Sequence, residues 1–354
     1  MVKKARFKKK QLILFIVNAL LIIGVVICLI IYKSTASALN TQDAAKRWAG
    51  TSELNYTQLS CFIDKAAAPS LETIHSFAST VNESLVAASL EAPINGSLWT
   101  QAYSSETTLH VSGDYGSADA TVWGVGGDFF LFHPLILRAG SYIADDDFMD
   151  DRVVIDEDLA WRTYGSIDIV GLSVTINGQP YQIAGVVSRE DDSFSTKSYQ
   201  GGPRLYMSYS ALAKINPEAP ITCYEIVMPN PVSSFALGVI QENFLKEQQE
   251  NNTAEVVENT GRFTVEPIIH VLTNFNERTL QEDGIAYPYW ENAARLVENQ
   301  LAWTLLCGFI FSLFPLGCLI YLIVKEIKYV KHYLKKFKKS IDVIKIRWYS
   351  YTCP

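Results

Sequence analysis

The chain has 354 residues, of which 49% are hydrophobic and 19% are charged, and its formal net charge is −7. This length allows one large domain or two modest ones, and the acidic balance excludes nucleic acid as an expected partner. The five histidines are scattered and no paired cysteine motif accompanies them, so neither a metal nor a cofactor is expected.

The chain begins with a basic segment, residues 1–11, followed by an apolar run that predicts a first transmembrane helix over residues 12–32. From Leu12 to Ile31 only Asn18 is strongly polar and no residue is charged. About 20 such residues, each rising 1.5 Å, match the roughly 30 Å hydrocarbon core of a bilayer. The alternative is a secretory signal cleaved near Ala36-Ser37-Ala38, but signal cores usually have only about 7 to 15 apolar residues.

The first extracytoplasmic residues have helical character. Residues 34–52 are polar, rich in alanine and free of proline, which predicts that the first helix continues beyond the membrane as a stalk. Residues 61–92 are also predicted to be helical, with Ile74, Phe77, Val81 and Leu85 at helical spacing. Pro93 and Asn95-Gly96 are expected to end this helix.

Strands are predicted between about residues 98 and 228, where β-branched and aromatic residues alternate with polar ones. The clearest unit is a hairpin over 174–183 with Asn177-Gly178 at its tip, because these two residues accept the positive φ of a type I′ turn. Pro180 cannot donate a ladder hydrogen bond, so its strand should pair on one side only or carry a bulge there.

A short helix is predicted over residues 156–165, with acidic residues in its first turn and Gly165 at its end. Later in the chain we expect a helix over 233–249, a polar loop over 251–261 and a strand over 262–270. A final helix over 290–300 feeds the second span. Its predicted buried face consists of Trp290, Ala294, Val297 and Leu301.

A second uncharged apolar run predicts a transmembrane helix over residues 301–324, followed by a basic tail, residues 325–354. The two ends carry +6 and +7, so the formal total of −7 leaves −20 for the stretch between them. Segments rich in Lys and Arg stay in the cytoplasm, so both termini are expected inside a bacterial cell and residues 33–300 outside. The predicted class is therefore α+β: a mixed, strand-rich extracytoplasmic domain flanked by two transmembrane helices with helical stalks.

Cysteine placement leaves one candidate disulfide, Cys61 with Cys223, since the other cysteines lie in the predicted spans or the tail. Bridging so long a loop would stabilise the fold by about 4 to 5 kcal/mol in the chain-entropy model. The alternative is two separate buried thiols, and the sequence leaves both open because it does not give the Cα separation.

Several short motifs occur in order between residues 125 and 187. They are Val125-Gly126-Gly127-Asp128-Phe129-Phe130, Leu137-Arg138-Ala139-Gly140-Ser141-Tyr142, the acidic loop Asp145-Asp146-Asp147 with Asp150-Asp151, the corner Val153-Val154-Ile155-Asp156-Glu157-Asp158-Leu159-Ala160, Tyr164-Gly165, Val170-Gly171 and Ile183-Ala184-Gly185-Val186-Val187. Together they resemble the MacB-like periplasmic core domain of ABC-transporter permeases, a family that includes FtsX-type proteins. The usual permease of this family has four spans. Three interpretations of the two spans here stay open: a natural two-span relative, a half that pairs with another subunit, and a truncated product.

The resemblance implies a permease-type subunit, not itself an enzyme, that couples ATP hydrolysis on a partner to movement of the extracytoplasmic domain. No G-x-x-x-x-G-K-[ST] run occurs, so a separate ATP-binding subunit is the expected partner, together with another permease subunit or a second copy. The tail lysines are candidate contacts for that ATPase or, more favoured, for anionic lipid headgroups. They are Lys331, Lys335, Lys336, Lys338 and Lys339.

Two rival functions follow from the same layout. A two-span sensor or binding module would also have an extracytoplasmic domain, but the tail of about 30 residues is too short for a kinase or cyclase domain. A membrane-anchored hydrolase is disfavoured because neither a G-x-S-x-G elbow nor a His-Glu-x-x-His motif occurs.

Overall fold

The computed structural model describes residues 9–92, 96–144, 150–199, 201–274 and 284–352. The chain divides into two compact units. One is formed by the segments up to Thr35 and from Gln300 onward, and the other, which we call the body, is Ala36–Asn299.

The secondary structure alternates helices and strands through the body. The helices are α1 (Lys9–Ala36), α2 (Ala44–Ala49), α3 (Leu71–Ala87), α4 (Phe129–Phe132), α5 (Glu157–Tyr164), α6 (Ser193–Ser198), α7 (Tyr209–Ile215), α8 (Phe235–Asn243), α9 (Lys246–Glu250), α10 (Val265–Thr273) and α11 (Tyr289–Thr352), with 3₁₀ turns at Asn40–Asp43 and Lys65–Ala67. The strands are β1 (Tyr56–Ile63), β2 (Thr100–Ser112), β3 (Ser117–Gly127), β4 (Ile136–Gly140), β5 (Arg152–Asp156), β6 (Ser173–Ile176), β7 (Gln179–Ser188), β8 (Arg204–Ser208), β9 (Cys223–Pro229) and β10 (Ala254–Glu258).

The first unit contains two helices, α1 and α11, that are long and apolar enough to cross a membrane. They contact each other within this unit: the Asn18 amide donates to Leu14 O (2.9 Å) on its own helix and lies 3.6 Å from Cys318 Sγ on the other. A Cβ added to Gly24 would lie only 3.0 Å from the Phe311 ring, so glycine here allows the helices to approach closely.

The body is built on one ten-stranded sheet with the order β10-β1-β9-β2-β3-β8-β5-β7-β4. Strand β6 pairs with both β2 and β7, so the strands β2, β3, β8, β5, β7 and β6 form a closed ring of pairings. Strands β9, β1 and β10 extend the sheet outward from β2. A closed ring leaves those six strands no free edge among themselves, which protects them from non-native pairing.

Three clusters of buried apolar side chains form the core. The first packs α3 and α8 on one face of β1 and β9. The second draws on all six strands of the ring and on α5 and α7. The third covers the other face of the sheet, from β1 and β9 across β2, β3, β8, β5 and β7, and it includes Phe62, Trp123, Phe129 and Trp290. The start of α11 is thus part of the core of the body.

The local predictions with the strongest sequence signals are confirmed. Ile176 pairs with Gln179 across Asn177 and Gly178, whose φ values are 51° and 81°. Pro180 pairs only with β6, since the partners of β7 on its other side begin at Gln182. The predicted α+β class, strand-rich between two apolar helices, is the one observed.

The helix predicted over 156–165 is α5. The Asp156 carboxylate caps it by accepting from Leu159 N at 2.8 Å, and Gly165 ends it in the left-handed conformation with φ 66°. The predicted buried face of α3 is also correct, because Ile74, Phe77, Val81 and Leu85 are its buried residues.

Four boundaries differ from prediction in the first part of the body. Helix α1 ends at Ala36, and residues 40–49 fold onto the body as a 3₁₀ turn and α2. The Gln58 side chain explains this turn: it accepts from Ala44 N (2.9 Å) and donates to Thr41 O (2.8 Å). Residues 61–63, predicted as helix, belong to β1, which pairs on both sides and is buried from Thr57 to Ile63. Helix α3 ends at Ala87, before the predicted breakers, of which Pro93 and Asn95 lie outside the described residues.

The later assignments contain two exchanges. Residues 254–258, predicted as loop, form the edge strand β10. A strand is predicted over residues 262–270, but residues 265–273 form α10. Because β10 already occupies the edge beside β1, the following segment has no strand partner there, and Pro267 is tolerated in the first turn of a helix. The helix predicted over 233–249 is divided into α8 and α9.

Candidate functional site

The start of α11 is held in the body by a buried arginine. Arg262 lies in the turn before α10 and donates to both carboxylate oxygens of Glu291, with Nη1–Oε2 of 2.7 Å and Nη2–Oε1 of 2.8 Å. Its Nε donates to Glu298 Oε1 at 2.7 Å, two turns along the same helix. All three side chains are at most 7% exposed. A bidentate guanidinium fixes both the position and the rotation of the helix that carries its partners.

The charge state of this cluster follows from its geometry. Burial by itself would lower the pKa of Arg262, but the carboxylates of Glu291 and Glu298 outweigh burial and raise the pKa above the usual arginine value. The guanidinium therefore stays charged, and a buried charge is tolerated only while its partners remain in place.

A second arginine extends the network to the edge of the sheet. Arg295 donates from Nε to Glu291 Oε1 (2.7 Å) and from Nη2 to both oxygens of Glu255 on β10 (3.0 Å). Its guanidinium carbon lies 3.9 Å from the centre of the Tyr287 ring. One face of α11 is thus tied to the strand at the outer edge of the sheet.

Aromatic packing fixes another face of the same helix turn. Trp290 is 3% exposed, and its ring centroid lies 4.7 Å from that of Trp123 on β3 and 4.2 Å from that of His133 after α4. Its neighbour Tyr289 donates to Glu190 Oε1 at 2.7 Å. The guanidinium carbon of Arg204 lies 3.9 Å from the Tyr289 ring centre, which adds a cation–π contact.

A series of buried, hydrogen-bonded polar side chains begins at His133, which contacts Trp290. His133 Nε2 is hydrogen-bonded to Glu225 on β9, and both side chains are at most 3% exposed. Ser60 Oγ donates to the other Glu225 oxygen (2.7 Å), and Asn259 Nδ2 donates to Ser60 Oγ (2.6 Å). This series joins α4, β9, β1 and the turn after β10, so the elements that surround the start of α11 are also held to one another.

Together these contacts hold the first turns of α11 against several strands of the sheet. We call this site the helix anchor, defined by Arg262, Glu291, Glu298, Arg295 and Trp290.

Sequence analysis did not single out the charged members of the helix anchor. A signal was present: Glu291 and Glu298 are seven residues apart, next to the predicted apolar face of Trp290, Ala294 and Val297. Two acids two turns apart beside a buried stripe require a basic partner from elsewhere in the fold. Which basic residue supplies it depends on tertiary contacts.

The candidate cysteines lie on neighbouring strands but face opposite sides of the sheet. Cys61 is opposite Tyr224, and Phe62 is opposite Cys223, so the two cysteines are offset by one residue. Their side chains accordingly lie in different clusters, and both are free thiols in the structure. A one-residue offset turns side chains to opposite faces, which holds the two sulfurs apart.

The remaining predicted site residues lie outside the helix anchor. The tail lysines are on α11, where Lys331, Lys335 and Lys338 are exposed. Lys336 and Lys339 lie on the same helix. Of the acidic loop, residues 145–147 are outside the described residues, whereas Asp150 accepts from Lys214 Nζ at 2.7 Å.

Comparisons with known proteins agree with the resemblance in the sequence. The family model described as the MacB-like periplasmic core domain matches residues 19–237. A macrolide export ATP-binding/permease protein MacB of Chromobacterium violaceum is 29% identical over 126 residues. That match covers 34% of this chain and 19% of the relative, so it spans about a fifth of the relative's length.

Two solved structures are also similar. The periplasmic region of MacB from Actinobacillus actinomycetemcomitans is 18% identical with a TM-score of 0.42, over 60% of this chain and 92% of that one. The extracellular domain of the noncanonic ABC-type transporter YknZ from Gram-positive bacteria is 15% identical with a TM-score of 0.38, over 56% of this chain and 99% of that one. The family assignment rests on the sequence model, which covers more than half of the chain. The chain therefore belongs to the family of the MacB-like periplasmic core domain.

Proposed function

We propose that this chain is a permease-type membrane subunit of an ABC transporter, in which ATP hydrolysis on a separate subunit moves the extracytoplasmic body. Both termini and the basic tail lie in the cytoplasm in this proposal, α1 and α11 cross the bilayer over residues 12–32 and 301–324, and residues 33–300 lie outside. The helix anchor is the observation that supports the mechanism most directly.

The physical argument concerns stiffness. A helix that leaves the membrane through a flexible linker would lose any movement in the linker, whereas α11 is continuous from Tyr289 to Thr352. Its first turns are fixed in the body by the three hydrogen bonds of Arg262 and by the packing of Trp290. In this proposal, movement of the first turns of α11 would reach the sheet directly through these contacts.

The partner is tested by purification from native membranes under mild detergent, with the chain tagged at one end. We expect an ATP-binding subunit to be recovered with it. Repeated recovery without any ATP-binding protein would contradict the proposal. A ligand that raises the melting temperature of the chain in that case would favour the rival function of a binding module.

The coupling is tested in the recovered complex by a spectroscopic distance between a label on the body and a label on the ATP-binding subunit. ATP should change this distance in the wild type, and Arg262→Met should reduce the change while leaving the partner bound. The matched control is Arg138→Met, which removes a half-exposed arginine that pairs with Glu157 and is not a member of the helix anchor. Equal responses in both variants would argue against transmission through the anchor.

A further inference from the structure

Helix α10 has an apolar surface that the body only partly covers. Ile268 and Val271 are buried in the body. Val265 and Ile269 are 50% and 49% exposed, and Leu272 is partly exposed. With about 100° between successive residues of a helix, Val265, Ile269 and Leu272 fall within an arc of about 60°. We call these three residues the apolar stripe.

The polar residues of α10 lie on a separate side. Glu266, His270 and Thr273 are exposed and fall on the arc next to the apolar stripe, away from the buried residues. The helix therefore has three faces: one against the body, one polar, and one apolar without cover in the described part of the chain.

The start of α10 lies close to both places where the chain leaves the body toward an apolar helical run. Arg262, three residues before α10, bonds to Glu298, which is three residues or about 4.5 Å along the helix from the second run. Ala36 and Leu39, just beyond the first run, line a cavity of about 230 Å³ together with Arg262 and Thr264. The start of α10 therefore lies at the end of the body from which the chain leaves toward both apolar runs.

We infer that the apolar stripe of α10 rests on the lipid bilayer, with its side chains among the headgroups and first methylenes of the outer leaflet. A helix with adjoining apolar and polar faces is the kind that lies in a membrane interface. Three side chains are far too few for the roughly 1,200–2,000 Å² that a stable protein–protein interface buries, which favours lipid over a second copy. The inference depends on the membrane placement of α1 and α11 in the proposed function, but not on the ATP-binding partner.

This contact would give the body a second attachment to the membrane beside the helix anchor. Arg262 joins the two, because it is bonded to α11 and lies in the turn that leads into α10. When α11 moves, the body would then rotate about α10, because the contact of α10 with lipid would oppose its translation away from the bilayer.

The test uses the full chain in vesicles of phosphatidylethanolamine and phosphatidylglycerol, with an environment-sensitive fluorophore on single cysteines. Cys28, Cys307, Cys318 and Cys353 are replaced by serine, while the buried Cys61 and Cys223 are kept. The probe is placed by Ile269→Cys on the apolar stripe and, as a matched control on the same helix, by Glu266→Cys on the polar arc. A distant control is Tyr115→Cys, because Tyr115 is 83% exposed in the turn after β2.

The distant control is well separated from α10. Strand β2 has 13 residues and is therefore about 40 Å long. Its first residue, Thr100, pairs with Val227, which pairs with Gln58, and Gln58 N donates to Thr260 Oγ1 near the start of α10. Tyr115 follows the other end of the strand.

A nitroxide lipid labelled near the headgroup should quench the Ile269→Cys probe at least threefold more than the Glu266→Cys and Tyr115→Cys probes, and iodide should quench it least. Equal quenching by iodide at all three positions would overturn the inference. Protection of the Ile269→Cys probe from both quenchers, lost when the protein is diluted in lipid, would overturn it in favour of a second copy. A further variant separates the two proposals. It keeps the buried Cys61 and Cys223 and has Cys307, an exposed residue of the second apolar run, as its single labelled cysteine. If lipid quenches that probe but not the Ile269→Cys probe, only the inference fails, and if lipid quenches neither, the membrane placement fails as well.

Discussion

At the scale of single residues, stability depends on whether each buried charged or polar group has a hydrogen-bond partner. Arg262 makes three charge-assisted hydrogen bonds, all to carboxylates on α11. Without this arginine, the helix would bury these two carboxylates without its guanidinium beside them. Breaking such a cluster is costly, because the charges that remain are left desolvated.

Replacement of Arg262 by alanine should therefore lower the free energy of unfolding by about 3–5 kcal/mol. Arg138→Ala should lower it by at most about 1 kcal/mol, because that ion pair is half exposed. Denaturant unfolding of the purified full chain, followed by near-ultraviolet circular dichroism, measures both. Equal losses of unfolding free energy in the two variants would show that the buried cluster stabilises the protein no more than the half-exposed ion pair does.

The thiols of Cys61 and Cys223 should be present but unreactive in the folded protein. Burial raises the pKa of both thiols, and the nearby Glu225 carboxylate raises each further, so neither forms the nucleophilic thiolate near neutral pH. A maleimide reagent at pH 7.5 should modify them only after unfolding, as mass spectrometry of the two peptides would show. A disulfide-linked peptide from the non-reduced protein would contradict this prediction.

The ion pair of Asp150 and Lys214 should make stability depend on pH. The hydrogen bond from Lys214 holds the pKa of the Asp150 carboxyl below its usual value, and the Ser208 hydroxyl adds to this effect. A carboxyl whose pKa is lowered by folding stabilises the protein above its unfolded value of about 3.9, and the stabilisation is lost as pH falls through the lower folded value. Asp150→Asn should thus lower the melting temperature at pH 7, and this difference should shrink as pH falls below about 4. The exposed Asp168→Asn is the control, and a constant difference from pH 7 to pH 3 would refute the assignment.

At the scale of elements, the most informative case is α11. Its first turns belong to the core of the body, and its later part is apolar and long enough to cross a membrane. Its first turns contribute Tyr289 and Trp290 to the third core cluster, so they are as much part of the body as the strands are. The predicted face of Trp290, Ala294, Val297 and Leu301 is buried throughout.

Trp290→Ala should lower the free energy of unfolding by about 3–5 kcal/mol, the range for a buried large aromatic. Trp161 offers a matched control, because it is 59% exposed on α5, and Trp161→Ala should have a small effect. Thermal unfolding of the two variants in the same detergent gives the comparison. A Trp290→Ala protein that melts with the wild type would show that the start of α11 is not anchored as described.

At the scale of the whole molecule, charge is distributed very unevenly. The two basic ends and the stretch of −20 between them oppose each other in sign, and this asymmetry underlies the proposed orientation. In that orientation the tail lysines lie at the cytoplasmic surface, where anionic headgroups attract them.

Replacement of Lys331, Lys335, Lys336, Lys338 and Lys339 by glutamine should reduce the number of phosphatidylglycerol molecules retained by the full chain. Each basic residue near an anionic surface contributes roughly 1 kcal/mol, so the five together should matter. Native mass spectrometry of protein extracted from mixed-lipid vesicles measures the retained lipid. A variant that retains as much lipid but loses the ATP-binding subunit would instead assign these lysines to the partner.

The elements that could be predicted from the sequence are those that depend on local residue patterns. The hairpin at Asn177-Gly178, the capped helix α5 and the buried face of α3 depend on residues close together in the chain, and local chemistry suffices for them. The exchange of β10 and α10 was not predictable, because Val256 and Val257 become strand only when the edge of β1 is available to them. Likewise, the turn after Ala36 depends on Gln58, which is distant in sequence.

Composition and short spacings were enough to predict the two apolar helices, the charge asymmetry, the strand-rich α+β class and the family motifs. Contacts between distant parts of the chain were needed for three other findings: Arg262 bonds to Glu291 and Glu298, Cys61 and Cys223 face opposite sides of the sheet, and no described residue covers the apolar stripe of α10. The physical reason is the same in all three cases. Pairing across the fold depends on strand register and on which surfaces remain after the core has closed, and neither is encoded in any local stretch of the chain.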